Sequence, residues 1–82
     1  METLKKNQYY STTNLSLATL LSLFYPLWTI DKSNPQKSEF LFKRESGIDD
    51  LIESFWRREL KIEPLTYFNQ LKLIKSRLYE EG

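Results

Sequence analysis

The chain has 82 residues, 40% of them hydrophobic and 28% charged, a size and mix that fit one small globular domain around a single core and are too little for two. It holds no cysteine and no histidine. This excludes disulfides, zinc-finger clusters and imidazole metal sites, and removes the thiolate nucleophile and imidazole base of the commonest catalytic pairs, so a non-enzymatic protein without cofactor or metal is expected. Twelve Lys and Arg against eleven Asp and Glu leave a net charge of +1, far from the basic excess with which proteins coat nucleic acid through charge alone.

Taken in chain order, Lys5 and Lys6 precede an apolar stretch from Leu15 to Trp28, the arrangement of a secretory leader. The stretch is 14 residues long, short of the roughly 20 needed to cross a bilayer. Ser16, Thr19 and Ser22 interrupt it and no small-residue cleavage site follows, so a cytoplasmic location and no membrane partner are expected. Two glycines, three prolines and the lack of repeats or low-complexity tracts leave no linker, and residues 1–82 read as one domain with a structured core over about 8–79.

Tyr9 to Thr12 is rich in aromatic and β-branched residues, which suit a pleated strand better than a helix. Thr13 or Asn14 then caps a first helix whose Leu17, Ala18, Leu21 and Phe24 recur at three-to-four spacing, with Leu20 and Leu23 widening the stripe. Pro26 drives Tyr25 out of the α region, which ends that helix near Phe24 and lets Leu27 to Ile30 continue as a second strand. Asp31 to Ser38 concentrates turn formers around Asn34-Pro35, and Glu39 to Lys43 alternates strictly, so the second and third strands are predicted to pair as a hairpin. Ser46 and Asp49 have capping-box spacing ahead of a second helix with apolar Ile48, Leu51, Ile52, Phe55 and Trp56. Asp49, Asp50 and Glu53 crowd its start, and Arg57, Arg58 and Lys61 its end, as the helix dipole favours. Leu60 to Glu63 reads as a brief fourth strand, and Pro64 opens a third helix carrying Leu65, Phe68, Leu71, Ile74 and Leu78.

The order is β-α-β-β-α-(β)-α, an α+β domain on a ferredoxin-like, split β-α-β plan with an added C-terminal helix. Two helices are expected on one face of a sheet of three or four strands, with the third closing an edge, an end or the second face. The expected buried set is Leu17, Leu21, Phe24, Ile30, Phe40, Phe42, Leu51, Ile52, Phe55 and Leu71.

RNA-recognition domains share this layout and stack unpaired bases on aromatics of their two central strands, places taken here by Tyr9-Tyr10 and Phe40-Leu41-Phe42. The third strand lacks the glycines of the RNA-binding pattern, and Leu41 shares its face with Glu39 and Lys43, so Phe40 and Phe42 are expected to face inward under the helices. Asp49 and Glu53 stand one helical turn apart, but two carboxylates without a third oxygen donor are better explained by the helix start than by a metal ion. From Phe55 to Leu78 six basic residues face two acidic ones, whereas Glu45 to Glu53 holds four acids and no base. Arg57, Arg58, Lys61, Lys72 and Lys75 are therefore the expected contacts for nucleic acid or an acidic partner, against the plainer reading of a solvated helix face. Twelve aromatics are many for so short a chain to bury, which makes Tyr25, Trp28, Trp56 and Tyr67 candidate interface anchors for a protein partner or for self-association as a dimer.

The run Tyr10-Ser-Thr-Thr-Asn14-Leu-Ser-Leu-Ala-Thr-Leu-Leu, followed by Leu27-Trp-Thr-Ile-Asp31, Phe40-Leu-Phe42, Phe55-Trp56 and Leu60-Lys61-Ile62, resembles a small domain-of-unknown-function family of bacteria and their phages. The resemblance extends over roughly Tyr9 to Tyr79 and departs at Tyr25-Pro26, where relatives more often have a glycine ending the first helix. It implies an accessory role in a phage or mobile-element setting and brings no activity, cofactor or catalytic residue to carry over. The function expected is a non-catalytic accessory protein-binding module. The alternative is a small nucleic-acid-binding protein using its basic C-terminal third, and an enzyme is the least favoured class because no acid–base or nucleophile constellation appears.

Overall fold

The computed structural model describes residues 8–34 and 36–80; Lys5, Lys6 and Pro35, which entered the leader and turn arguments, lie outside them. The elements are β1 (Tyr9–Thr12), α1 (Leu15–Phe24), β2 (Leu27–Asp31), β3 (Glu39–Lys43), α2 (Ile48–Trp56) and α3 (Pro64–Tyr79). The three strands form one sheet in the order β1-β3-β2. Both outer strands pair antiparallel with β3, so β1 and β2 run parallel to each other with β3 inserted between them, which is the split β-α-β arrangement.

Alternation decides which face is covered. Phe40 and Phe42 are buried with Leu17, Ala18, Leu20, Leu21, Ile48 and Ile74 in one core cluster, so the helices cover the face that the Phe-x-Phe spacing predicts. Opposite Phe42 and Phe40, β2 contributes Leu27 and Ile30, and the extra residue between their pairings makes a bulge at Trp28 and Thr29. Leu41 points to the other face, which carries the Tyr9 and Trp28 rings with centroids 6.3 Å apart, and it too is buried.

Helix α1 is the centre of the helical layer. Five consecutive residues, Leu17 to Leu21, are buried, as expected of a helix with the sheet beneath it and α2 and α3 packed beside it. Its one buried polar side chain, Thr19, donates its hydroxyl to the Leu15 carbonyl at 2.8 Å. Asn14 caps the start by accepting the Leu17 N–H at 3.1 Å. At the other end Tyr25 is extended at φ −134°, as Pro26 requires of the residue before it.

The start of α2 differs from the capping box expected of Ser46 and Asp49. Gly47 is the N-cap, left-handed at φ +88°, with no side-chain cap. The Asp49 carboxylate pairs with Arg44 at 2.6 Å, and the Ser46 carbonyl accepts the Tyr25 hydroxyl at 2.9 Å. Asp49 thus stays in the first turn, but with the cap one residue later than Ser46 its carboxylate bonds Arg44 in place of closing a capping box.

No fourth strand forms from Leu60 to Glu63. Arg58 and Glu59 close α2 through bonds to the Phe55 and Ser54 carbonyls, and Glu63 already caps α3, so only Leu60 to Ile62 remain between the two helix ends. Both Glu63 carboxylate oxygens serve that cap. One accepts the Thr66 N–H at 2.7 Å and the other the Leu65 N–H at 3.1 Å, with Pro64 in the first turn, where its missing N–H costs nothing. At the far end the Lys32 ammonium donates to the Glu80 carbonyl at 2.8 Å and the Arg77 carbonyl at 3.4 Å, satisfying orphan acceptors of the last turn.

Three residues expected on apolar inner faces lie outside. Phe24, Leu65 and Phe68 are exposed. Phe24 sits in the last turn of α1, beyond its continuous buried stretch. On α3 the buried residue is Ile74, with Tyr67, Gln70, Leu71 and Leu78 half-buried around it. The error lies in the spacing, because each step of three residues slips about 60° around a helix, so Leu65, Phe68, Leu71 and Ile74 wind from one side of α3 to the other. Among the described residues no helix is long and apolar enough to cross a membrane.

Candidate functional site

The junction between α2 and α3 holds Arg57, Arg58 and Lys61 of the basic segment, flanked in the chain by the exposed Trp56 and Leu65. Arg57 ends α2, and Arg58 follows at φ +61°, a left-handed conformation rare outside glycine and asparagine. That turn redirects the chain so that Leu60 and Ile62 pack toward the core cluster. It leaves a groove of about 410 Å³ lined by Leu20, Phe55, Leu60, Ile62, Tyr67 and Phe68, with Arg58 and Pro64 also on its wall. Trp56, which follows the lining residue Phe55 in the chain, is 59% exposed, and Leu65, which follows Pro64, is 64% exposed, while Phe68 keeps 55% of its surface in solvent.

The five basic residues singled out in the sequence are split by the fold. Arg57, Arg58 and Lys61 surround the junction, all exposed. Arg57 is tied to Glu53 at 3.0 Å one turn earlier, a contact between exposed groups. Lys72 and Lys75 are exposed two and three turns into α3. Helix α3 contains Lys72, Lys75 and Arg77 and no Asp or Glu. Among the described residues none of these three side chains has an acidic partner; the ion pairs there are Arg44 with Asp49 and Arg57 with Glu53. The same two pairs engage the Asp49 and Glu53 carboxylates that share a face of α2.

Of the four candidate anchors, two serve the fold. Tyr25 is half-buried and hydrogen-bonded to Ser46, and Tyr67 is half-buried with its hydroxyl donating to the Ser16 carbonyl at 3.2 Å. Trp28 shares the sheet face of Tyr9, and Trp56 lies edge-on at 5.0 Å to Phe55, a lining residue of the groove. Sequence reasoning missed Leu65 and Phe68 as surface residues. The signal was present in the 3-4-3-4 spacing of Leu65, Phe68, Lys72, Lys75 and Tyr79, which puts all five on one side of a helix.

Two other surfaces offer less. A hollow of about 630 Å³ near the end of α3 is lined by Leu15, Phe40, Leu78 and Tyr79 with Lys32 and Lys37 at its rim, but the Lys32 ammonium is already held by helix carbonyls. The sheet does not present its phenylalanines for stacking, because Phe40 and Phe42 are buried. Tyr10 packs against the core, with the Arg44 guanidinium 5.8 Å from its ring centre. The carboxyls of Asp31 and Glu63 are held below the usual carboxylate range, Asp31 by the Ser33 backbone N–H and hydroxyl, and Glu63 by the Thr66 and Leu65 N–H groups and the Thr66 hydroxyl. Each is structural, one in the turn after β2 and one at the start of α3.

Comparison with known proteins matches residues 7–80 to one family, described as Domain of unknown function (DUF5659). No curated protein and no solved structure matches the chain.

Proposed function

The chain belongs to the DUF5659 family, whose function is unknown, and we propose from its own surface that it is a non-catalytic accessory module that binds another protein at the α2–α3 junction. The observation that carries this reading is the groove itself. It is an apolar hollow walled by Leu20, Phe55, Leu60, Ile62 and Phe68, and the residues that follow its Phe55 and Pro64 in the chain, Trp56 and Leu65, are exposed. A pocket for an apolar anchor, an exposed tryptophan and an arginine on the rim are the ingredients of interface hot spots, and a monomeric surface rarely leaves so many large apolar side chains together in water.

The alternative, nucleic-acid binding, draws on the unpaired cations of α3. A binder that works through phosphates loses affinity steeply as salt rises. The deciding experiment is a pull-down with the intact chain and with Phe68→Asp, identified by mass spectrometry, run beside a mobility-shift titration with single- and double-stranded oligonucleotides at several salt concentrations. The expected result is a protein partner retained by the intact chain and lost by Phe68→Asp, with no oligonucleotide shift. A salt-sensitive shift without a retained protein reverses the assignment.

A further inference from the structure

We propose that the partner segment is an acidic amphipathic helix lying along the outer face of α3, with an apolar end seated in the α2–α3 groove; this rests on the protein-binding reading and specifies its ligand. Leu65, Phe68, Lys72, Lys75 and Tyr79 follow one another at spacings of three, four, three and four residues, the 3.5-residue repeat of a helix–helix seam. All five are exposed, Tyr79 at 75%. The seam runs over the 15 residues from Leu65 to Tyr79, about 21 Å of helix from first to last, and Phe68 joins it to the groove.

The order of side chains along that seam is apolar, basic, aromatic, and this order sets the chemistry of the occupant. Covering Lys72 and Lys75 with an apolar helix strips water from two cations that form no ion pair among the described residues, which is unfavourable unless the incoming surface supplies carboxylates. A partner helix with apolar residues at its ends and Asp or Glu at its centre satisfies both parts.

A second copy of the chain fits poorly. Pairing the full length of the seam with its own mate about a two-fold axis, parallel or antiparallel, brings Lys72 against Lys72 at its middle. The chain's own acidic helix is no better a mate, because Asp49 and Glu53 are already bonded to Arg44 and Arg57 and a single further carboxylate, Asp50, is set against two lysines. Nucleic acid fits less well than a helix for another reason. The groove at that end of the seam is built from Leu20, Leu60, Ile62 and Pro64 as well as Phe68, and aliphatic side chains neither stack on bases as aromatics do nor contact phosphates.

The test uses two fluorescein-labelled synthetic helices of about 21 residues, three heptads long. Both have leucine at the a and d positions of the outer heptads; one has glutamate and the other lysine at those of the central heptad. Titrated with the intact chain and followed by anisotropy, the glutamate peptide is expected to bind about ten-fold or more tightly than the lysine peptide. In the double variant Lys72→Glu with Lys75→Glu the preference is expected to reverse. Circular dichroism of the variant checks that the fold is kept, and Phe68→Asp is expected to weaken both peptides. Equal binding of the two peptides that is still lost in Phe68→Asp overturns the acidic helix and leaves the groove reading standing. Binding of neither peptide overturns the proposal, and if an oligothymidylate of about 20 nucleotides then binds with steep salt dependence, the protein-binding reading falls with it. A dimer in sedimentation that Phe68→Asp dissolves assigns the seam to a second copy and overturns the proposal as well.

Discussion

Gly47 carries a backbone requirement that no other residue meets without strain. Its φ of +88° starts α2, and a Cβ placed there would lie 2.9 Å from the Tyr25 hydroxyl, which is itself bonded to the neighbouring Ser46 carbonyl. Gly47→Ala is expected to cost about 1–2 kcal/mol from the left-handed backbone alone, with a further loss from the displaced hydroxyl. Tyr25→Phe removes that oxygen, so the double variant should lose less than the two single losses added together, as urea denaturation of the four proteins will show; full additivity would mean that the hydroxyl and the Cβ do not compete. Glu63 makes a pH-dependent contribution. Its bonds to the start of α3 hold its folded pKa below the ordinary glutamate value of 4.5. The stabilisation is therefore present in full above that value and disappears as pH falls through the lower, folded-state value. Glu63→Ala should melt at a lower temperature than the parent at neutral pH, and the gap should close in acid well below pH 4.5. A gap that persists there would show that the charge is not the stabilising element.

Helix α3 has two faces with opposite duties, and they can be separated by substitution. Ile74 is buried against the core, so Ile74→Ala is expected to cost about 2–5 kcal/mol. Phe68→Asp, on the exposed side, should leave stability within about 0.5 kcal/mol of the parent; thermal melts of both variants test the assignment, and a destabilised Phe68→Asp would mean that the groove residue is part of the core. The three strands, the stop of α1 before Pro26 and the start of α3 at Pro64 were all readable from the chain, because proline geometry and strict alternation act locally. The α2 start was not, since the Ser46 and Asp49 pattern competes with Arg44, which only the folded chain brings to Asp49. The missing fourth strand is a matter of length, with both ends of a seven-residue connection consumed by helix caps. The basic residues of the candidate site were readable as composition. The groove was not, because its walls come from α1, α2, the connection and α3, and nothing in the order of residues states that Leu20 and Phe68 share a hollow.

At the scale of the whole molecule, stability rests on one layer of side chains between the sheet and α1. A chain of 82 residues typically holds about 4–12 kcal/mol in total. β3 is the central strand, and it is buried on both faces, through Phe40 and Phe42 toward the helices and through Leu41 toward the face that carries Tyr9 and Trp28. The two faces are not equivalent. Phe40 and Phe42 belong to the cluster that joins α1, α2 and α3 to the sheet, whereas Trp28 remains 41% exposed on the opposite face. Phe40→Ala is therefore expected to cost about 3–5 kcal/mol, enough to take most of the margin and leave the chain largely unfolded at physiological temperature. Trp28→Ala removes a larger side chain but less buried contact, and should leave a cooperative fold with a smaller loss. Urea unfolding followed by far-ultraviolet circular dichroism measures both without relying on the tryptophan that one variant lacks. If Trp28→Ala proved the more damaging, the main core would lie on the Tyr9–Trp28 face and α1 would be the lesser layer. The predicted order, with the phenylalanine costlier, keeps the Tyr9–Trp28 face and the α2–α3 groove as surfaces that this small core holds in place without depending on them.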